Sequence, residues 1–325
     1  MSGYDIIGDV HGCADMLVAL LITMGYVIDD ATGAYGHSER QAIFVGDLVD
    51  RGEGQLQVLE TVKRMVDHGT AQIVMGNHEF NAVAYATEHP LQSGDYLWPH
   101  TAKNTHQHEG LLAQVTGTAR DHYLEWFTTL PLWLDRNGIR IVHACWHQPS
   151  IDFISKELGS NRFNSPNQFV RASDKTEPLY TAIEIILKGP ELSLRNHGQP
   201  PYVDKDGNAR NQACIRWWNE GGTTLLDLAE LSGRFTTADG APYPPLPAIP
   251  VSDRERSFAY GGDVPVVYGH NWRQGTPTQG DDWSRHTACV DFSVVKGGAL
   301  TAYQRRGVSE INPAHYKTSS DTVGR

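Results

Sequence analysis

Five short apolar runs in this chain each end in a residue that can bind a metal ion. Each run is rich in residues that favour β-strands and is bounded by glycine or polar residues, which predicts a short buried strand. Open α/β sheets place their active sites at the carboxyl ends of strands. The runs and their following residues are 6–8 with Asp9 and His11, 43–45 with Asp47, 73–76 with Asn77 and His78, 139–142 with His143, and 264–269 with His270.

The second run is the most informative of the five. Its sequence, AIFVGDLVDRGE at residues 42–53, stops being apolar at Gly46 and then gives Asp47, Asp50 and Arg51. Burying carboxylates is unfavourable unless a cation or hydrogen bonds compensate their charge. A bound metal ion is the simplest compensating charge, so this segment predicts a metal site.

Composition narrows the functional classes. The chain has 325 residues, and its 27 basic and 38 acidic residues give a net charge of −11. This balance argues against extensive nucleic-acid binding, but it allows a phosphorylated substrate at a local cationic site. No secretory signal is visible, and the longest apolar stretch, residues 16–28, is too short to span a bilayer. We therefore expect no membrane partner and a cytoplasmic location, with the four cysteines as free thiols.

Strands and helices alternate through residue 75, which predicts an α/β fold. Residues 147–256 interrupt the pattern between two ligand-bearing strands and are predicted to form an inserted cap. A hairpin is predicted around Lys296-Gly297-Gly298, and residues 312–325 are expected to be a flexible tail. Residues 89–110 are expected to be a loop or a broken helix. The three histidines of this segment are expected to line a solvated surface: His100, His106 and His108.

The candidate ligands together favour a centre of two metal ions. Carboxylates, an amide and imidazoles suit Mn, Fe or Zn better than Mg or Ca. Six ligands are too many for one catalytic ion with open positions, but they suffice for two ions if one carboxylate bridges them. Asp47 is central in the chain order and is the predicted bridge. Two ions about 3.5–4 Å apart can hold the attacking and leaving oxygens of a phosphate ester and activate a water molecule.

Three motifs in this order and spacing resemble the calcineurin-like metallophosphoesterases: GDVHG at residues 8–12, GDLVDRG at 46–52 and GNHE at 76–79. More narrowly, they resemble the phosphoprotein phosphatase branch and its bacterial diadenosine tetraphosphatase relatives. His143 and the pair Gly269-His270 extend the resemblance to residue 270. It implies a two-sheet αββα sandwich with an inserted cap, forming a single domain over residues 1–325.

The resemblance also implies which residues hold the metals. The first ion would be held by Asp9, His11 and Asp47, and the second by Asp47, Asn77, His143 and His270. Mn²⁺ is the ion expected to support activity in vitro, with Fe, Zn or Ni as alternatives.

Catalytic roles follow from the same resemblance. His78 would be the general acid, and Asp50 would orient it, because a carboxylate fixes the tautomer of an imidazole and raises its pKa. Arg51 would bind the phosphate oxygens bidentately, and Asn77 would share in substrate binding. The family usually adds an arginine from the insert, for which the candidates are Arg216 first, then Arg171 and Arg273.

The expected function is therefore hydrolysis of phosphate monoesters by a metal-bridged hydroxide, with a Ser/Thr or Tyr phosphoprotein phosphatase as one form of it. The alternative is a bis(5′-nucleosyl)-tetraphosphatase that cleaves a phosphoanhydride. A non-catalytic scaffold is a third hypothesis, and the complete set of ligands and catalytic residues argues against it. Trp217 and Trp218 either stack on a substrate ring or pack inside the cap.

Overall fold

The computed structural model describes residues 3–90, 94–136, 138–203, 207–231, 235–275, 277–307 and 309–321. The chain divides into two compact units. The larger unit comprises Met1–Lys188 and Asp263–Arg325, and the smaller unit is Gly189–Gly262.

Most strands are short. Within the described ranges they are, in chain order, β1 (Gly3–Ile7), β2 (Val27–Ile28), β3 (Tyr35–Gly36), β4 (Arg40–Phe44), β5 (Ala71–Ile73), β6 (Trp133–Arg136), β7 (Ile139–Val142), β8 (Glu191–Ser193), β9 (Tyr202–Val203), β10 (Ala209–Arg210), β11 (Gln212–Cys214), β12 (Val266–Tyr268), β13 (Thr287–Cys289), β14 (Thr301–Arg305) and β15 (Tyr316–Thr318).

The helices of the same ranges are α1 (Ala14–Thr23), α2 (Gln55–Asp67), α3 (Asn77–Ala86), α4 (Ala102–Gln107), α5 (Glu109–Gln114), α6 (Gly117–Thr128), α7 (Gln148–Leu158), α8 (Pro166–Ser173), α9 (Pro178–Lys188), α10 (Leu225–Leu228) and α11 (Asp253–Arg256). None of them is both long and apolar enough to cross a membrane.

Two sheets form the framework of the larger unit. The first has the order β15-β14-β1-β4-β5, and the second has the order β13-β12-β7-β6. Strands β1, β4 and β5 are parallel, as are β7, β12 and β13, so each sheet gathers carboxyl ends at one edge. A single core cluster joins side chains of both sheets, among them Ile6, Ile43, Ile141 and Val267. This arrangement confirms the predicted two-sheet α/β sandwich.

The compact insert is shorter than the predicted cap of residues 147–256. Helices α7 and α9 lie in the larger unit, where they pack against each other and fully bury Ile154 and Ile186. The backbone N–H of Ala144, next to a predicted ligand, donates to the carbonyl of Ile186 at 3.0 Å. These contacts tie residues 147–188 to the sandwich, and the separate unit begins only at Gly189.

The smaller unit has its own core, which includes Leu192, Ile215 and Leu225. Trp217 and Trp218 are 0% and 1% exposed, and their rings meet edge to face with centroids 6.1 Å apart. Neither ring is accessible for stacking on a ligand, which favours the packing role.

The predicted hairpin around Lys296-Gly297-Gly298 is wrong. Strand β13 before it pairs in the second sheet, whereas β14 after it pairs with β1 in the first sheet. The segment therefore connects the two sheets. Gly298 is required there, since a Cβ at this position would lie 1.8 Å from the carbonyl oxygen of Phe292.

Part of the predicted flexible tail is a strand. Residues 316–318 form β15, which pairs antiparallel with β14 at the sheet edge. The Tyr316 ring packs against Tyr303, with centroids 5.4 Å apart. A three-residue edge strand has too little pattern to be read from the sequence, whereas this aromatic contact gives it a place in the fold. Residues 322–325 of that prediction lie outside the described residues.

A buried ion pair fastens the first sheet at the end away from the ligands. Asp5 is 0% exposed, and its carboxylate accepts from Arg40 Nε at 2.9 Å. Tyr26 Oη and Gln304 Nε2 each donate to the same carboxylate at 3.0 Å. Three side chains thus donate to the Asp5 carboxylate, so this buried charge is compensated inside the protein.

We expect Arg40→Met to lower the free energy of unfolding by about 3–5 kcal/mol, because it leaves the Asp5 carboxylate buried without its cation. Chemical denaturation measures the change. The surface pair of Arg285 and Glu310 provides the matched control, since Arg285→Met should change stability by less than about 1 kcal/mol. A loss for Arg40→Met no greater than this control would show that the Asp5 network contributes little.

Candidate active site

The loops that follow the ligand-bearing strands are tied to one another by backbone hydrogen bonds. The amides of Val10 and His11 donate to the carbonyl of Asp47 at 3.1 and 2.9 Å. Within the second sheet, the amide of Gly269 donates to the carbonyl of His143 at 2.8 Å. Across the two sheets, the backbone N–H of His270 donates to the Asp9 carboxylate at 3.1 Å. The predicted ligands are thus brought to one place by the meeting of the carboxyl ends of β1, β4, β5, β7 and β12.

The backbone at this place is unusual. Six non-glycine residues of the described chain have positive φ, and five of them are predicted site residues: His11 (44°), Asp47 (50°), Asp50 (69°), Arg51 (75°) and His270 (62°). Side chains larger than glycine rarely adopt this conformation, which is strained unless the surrounding structure enforces it. Such strain clusters at functional sites, so the backbone independently marks the same residues as the motifs.

Glu79 enforces part of this geometry, and the sequence reasoning missed its role. It is fully buried, and its carboxylate accepts from the backbone N–H groups of Asp47 and Leu48, both at 2.8 Å, and of Gly76 at 3.0 Å. One carboxylate therefore fixes the loop after β4 and the start of α3 together. Its position at the third residue of α3, where a helix favours an acid, was the available signal.

Two groups of side chains have ligand atoms close enough together to hold metal ions. One group is His11, Asp47 and His78, and the other is Asp47, His143 and His270, with the atoms of each group within 4.8 Å of one another. Asp47 belongs to both groups, in agreement with the position of a bridging carboxylate. His78 joins the first group here, although the resemblance assigned it only a proton-transfer role.

The donor set of the first group fits a metal ion. His11 Nδ1 lies 2.8 Å from the carbonyl oxygen of Val49, which can only accept, so Nδ1 carries the proton. The lone pair of His11 Nε2 then faces the Asp47 carboxylate, 3.7 Å from Oδ2. Two acceptors facing each other in a buried site need a cation between them.

His143 shows the same pattern in the second group. Its Nδ1 lies 2.8 Å from the carbonyl oxygen of Val45, and its Nε2 lies 3.4 Å from Asp47 Oδ1. The side-chain oxygen of Asn77 is 3.0 Å from the same Nε2 and 2.9 Å from His270 Nδ1. Asn77 therefore lies between two imidazoles with an oxygen that suits a cation.

The pKa shifts of the buried carboxylates also favour a bound cation. Burial raises the pKa of Asp9 well above its ordinary value, and the neighbouring carboxylates of Asp291 and Asp47 raise it further. Burial would also raise the pKa of Asp47, but the His143 and His78 imidazoles outweigh it and hold that pKa well below the usual range. Three acidic groups this close require a cation if all are to be ionised.

Asp9 is buried, and its carboxylate accepts from the backbone N–H of His270 at 3.1 Å. It belongs to neither of the two close groups found among the described residues, so its role as a ligand stays a prediction.

Burial lowers the pKa of His11 to about 4 and that of His270 to about 3. Both imidazoles are therefore neutral at pH 7, which is the form that binds metals.

His78 and Asp50 are in direct contact, as the motif predicts. His78 Nδ1 lies 2.6 Å from Asp50 Oδ2. Burial would raise the pKa of Asp50, but hydrogen bonds with His108 and His78 lower it to about 2, so the carboxylate is ionised. Burial lowers the pKa of His78, but the charge of Asp47 and the contact with Asp50 outweigh it, and the net shift is upward. The other ring nitrogen, Nε2, faces the site and lies 3.9 Å from Asp47 Oδ2.

The contact with His108 overturns one prediction. The three histidines of residues 100–108 were expected to line a solvated surface, but His108 is 2% exposed, and its Nδ1 lies 2.9 Å from Asp50 Oδ1. His100 and His106 are exposed, in agreement with the prediction. A sequence signal existed, because His108 shares a helical stripe with the buried Leu111 and Val115.

Arg51 is exposed and directly follows Asp50, whose carboxylate contacts His78. Among the other candidates, Arg171 pairs with Glu157 at 2.9 Å and Glu177 at 3.2 Å.

The two remaining candidates differ in their contacts. Arg273 is buried and lies 3.2 Å from Asp282. Arg216 lies in the smaller unit, and its buried Nε has no hydrogen-bond partner among the described residues. The substrate-binding role of Arg216 stays a prediction.

The family profile described as calcineurin-like phosphoesterase matches residues 4–270, the span that contains all six predicted metal ligands. The chain belongs to the calcineurin-like phosphoesterase family. Members of this family depend on two metal ions and hydrolyse phosphate esters, and the two groups that share Asp47 are able to bind such ions.

Similar proteins match most of the chain. The asymmetrical bis(5′-nucleosyl)-tetraphosphatase PrpE of Anoxybacillus flavithermus is 44% identical over 300 residues, which are 92% of this chain and 89% of that protein. The protein of the same name from Oceanobacillus iheyensis is 32% identical over 301 residues, with 92% and 87% covered. A solved protein serine/threonine phosphatase from Saccharomyces cerevisiae is 12% identical, with 97% and 79% covered and a TM-score of 0.48.

Proposed function

We propose that this metallophosphoesterase is a bis(5′-nucleosyl)-tetraphosphatase that cleaves dinucleoside tetraphosphates asymmetrically. The observation that carries the substrate class is the similarity to two tetraphosphatases along 92% of the chain. The hydrolytic part of the proposal rests on the two ligand groups that share Asp47. Of the functions expected from the sequence, the alternative is thus better supported than the phosphoprotein phosphatase.

Each site residue has a role in this proposal. The ions would be held by Asp9, His11, Asp47, Asn77, His143 and His270. When bound, two divalent cations supply Lewis acidity toward the phosphoryl oxygens and lower the pKa of water. Mn²⁺ is the ion we expect to support activity in vitro, with Fe, Zn or Ni as alternatives.

The charged side chains around the ions complete the mechanism. Arg51 is exposed beside the close groups and would bind a phosphoryl oxygen pair through its planar guanidinium. The role of Arg216 in phosphate binding stays a prediction from the family resemblance. Asn77 would contribute to substrate binding through the amide that faces His143 and His270.

His78 would donate the proton on Nε2 to the leaving oxygen, while Asp50 holds its Nδ1 at 2.6 Å. A departing nucleotide is a weak base, because a terminal phosphate has a pKa of about 6, and it needs little proton transfer. An alkoxide leaving from phosphoserine needs far more. The strongly held general acid therefore favours a second candidate function, a phosphomonoesterase that acts on phosphoproteins.

A side-by-side rate comparison decides between the two functions. Metal-stripped protein reloaded with Mn²⁺ would be given diadenosine tetraphosphate, a phosphoserine peptide, a phosphotyrosine peptide and a nucleotide 2′,3′-phosphate. We expect the largest kcat/KM for diadenosine tetraphosphate, with ATP and AMP as the products, and loss of turnover when a chelator removes the metal.

Three outcomes would contradict the proposal in different ways. Faster hydrolysis of a phosphopeptide would establish the second candidate function. Formation of ADP alone would show symmetrical cleavage. No turnover of any substrate with Mn, Fe, Zn or Ni would reject the enzyme altogether.

A further inference from the structure

A second histidine contacts the carboxylate that orients His78. His108 Nδ1 lies 2.9 Å from Asp50 Oδ1, while His78 Nδ1 lies 2.6 Å from the other oxygen, Oδ2. Because the carboxylate is ionised and can only accept, both imidazole nitrogens are donors. The three side chains form a continuous buried series, His108–Asp50–His78, with exposures of 2%, 1% and 9%.

The local fold supports the position of His108. It lies at the junction where α4 ends and α5 begins. Two residues later, Gly110 packs so closely on the loop after β4 that a Cβ there would lie 2.7 Å from the backbone nitrogen of Arg51. The rings of Tyr85 and Trp98 lie beside the His108 imidazole, with centroids 5.2 and 6.1 Å away. The imidazole is therefore held against Asp50 from several sides.

Asp50 is restrained at every polar group. Its backbone N–H donates to Gln55 Oε1 at 2.8 Å, and its two carboxylate oxygens accept from the two histidines. Its φ of 69° shows that the chain adopts an uncommon conformation to place this side chain. Without His108, Oδ1 would be a buried acceptor with no donor on it, and the carboxylate would be free to turn away from His78.

We propose that His108 is a positioning residue for the general acid, which fixes Asp50 so that the proton on His78 Nε2 is directed at the leaving oxygen. This inference rests on the proposed phosphoester hydrolysis with His78 as the acid. It adds a residue from outside the three sequence motifs. The proposal predicts an effect that depends on the leaving group, because only a strongly basic leaving group needs the proton.

The test compares two side chains that mimic different nitrogens of histidine. The amide nitrogen of asparagine occupies roughly the place of Nδ1 and can still donate to Asp50, whereas that of glutamine occupies the place of Nε2. We expect His108→Gln to lower the rate with phenyl phosphate on the order of 10- to 100-fold, and the rate with p-nitrophenyl phosphate much less. His108→Asn should keep most of the wild-type ratio between the two substrates.

The matched control is His106→Gln, a substitution of an exposed histidine in the same segment, which should change neither rate. Metal content and the unfolding midpoint are measured for every variant. Equal losses on both substrates in a folded, metal-loaded His108→Gln protein would overturn the proposal, and so would wild-type rates on both. If His108→Gln does not fold, His108→Asn decides, since a ratio as low as that of His78→Asn would also overturn it.

The failure of this inference is distinguishable from that of the proposed function. If wild-type protein turns over neither ester and no diadenosine tetraphosphate with any of the four metals, the proposed function fails and the role of His108 fails with it. If wild-type protein is active and His78→Asn shows the leaving-group effect but the His108 variants do not, only the role of His108 is rejected.

Discussion

His78→Asn is expected to leave both metal ions bound and to lower the rate with phenyl phosphate on the order of 100-fold or more. The variant removes the imidazole that lies 2.6 Å from Asp50, and asparagine has no proton of suitable acidity to give to the leaving oxygen. The backbone N–H of residue 78, which donates to Asp47 Oδ1 at 3.0 Å, is unchanged. Steady-state rates and elemental analysis of the same sample measure the two effects.

The size of the loss should follow the basicity of the leaving group. Phenyl phosphate should be affected more than p-nitrophenyl phosphate, and diadenosine tetraphosphate less than either phosphopeptide. His122→Asn, at an exposed position of α6, provides the control and should retain full activity. Activity near the wild-type level in metal-loaded His78→Asn would show that another group supplies the proton. Loss of metal would show that His78 is a ligand, since its nitrogen belongs to the first close group.

The sequence could predict that the ligands meet at one site, because each ligand is marked by the residues next to it in the chain. Each ligand follows a short apolar run, and parallel strands must place their carboxyl ends at a common edge. Asp47 after β4 and His143 after β7 are 96 positions apart in the sequence, and their side chains lie 3.4 Å apart. The sequence also indicates why the backbone turns there, since Gly46 and Gly52 flank the strained residues Asp47, Asp50 and Arg51.

The role of His108 was not predictable in the same way. Its partner Asp50 is 58 residues earlier, and no strand precedes His108 to direct it to the site. The segment around it is polar, with His100, His106 and Glu109 exposed, so composition favoured a solvated loop. What decides its position is the packing of α4 and α5 on the loop after β4. That packing depends on tertiary contacts, whereas sequence periodicity gives only the inward face of a helix.

The compact unit of residues 189–262 has other boundaries than the predicted insert of residues 147–256, for a related reason. Residues 147–188 lack strands that bear ligands, so they were assigned to the cap, but α7 and α9 are amphipathic helices that bury Ile154 and Ile186 in the larger unit. A helix layer is what a two-sheet sandwich needs to cover its outer faces. Residues 147–188, which carry no ligand-bearing strand, therefore form helices that cover the sandwich, and the separate unit begins after them at Gly189.

Asp47→Asn is expected to remove both metal ions and to lower the rate on the order of 1,000-fold or more, since metal assistance contributes several kcal/mol to catalysis. The φ of 50° suits asparagine as well as aspartate, and the amide oxygen can still accept from the His78 N–H. The substitution therefore removes the charge shared by the two close groups while it preserves the local backbone. Elemental analysis after dialysis measures the loss of metal.

Thermal unfolding gives a second measurement that does not depend on activity. A ligand that binds only the folded state raises Tm, so Mn²⁺ should stabilise the wild-type protein and should leave the Tm of Asp47→Asn unchanged. Asp67→Asn, at an exposed position of α2, is the control and should respond to Mn²⁺ as the wild type does. Full metal content in Asp47→Asn, or an equal rise of its Tm, would remove Asp47 as the shared ligand. It would also separate the two groups into independent sites, because no other side chain of the described residues belongs to both.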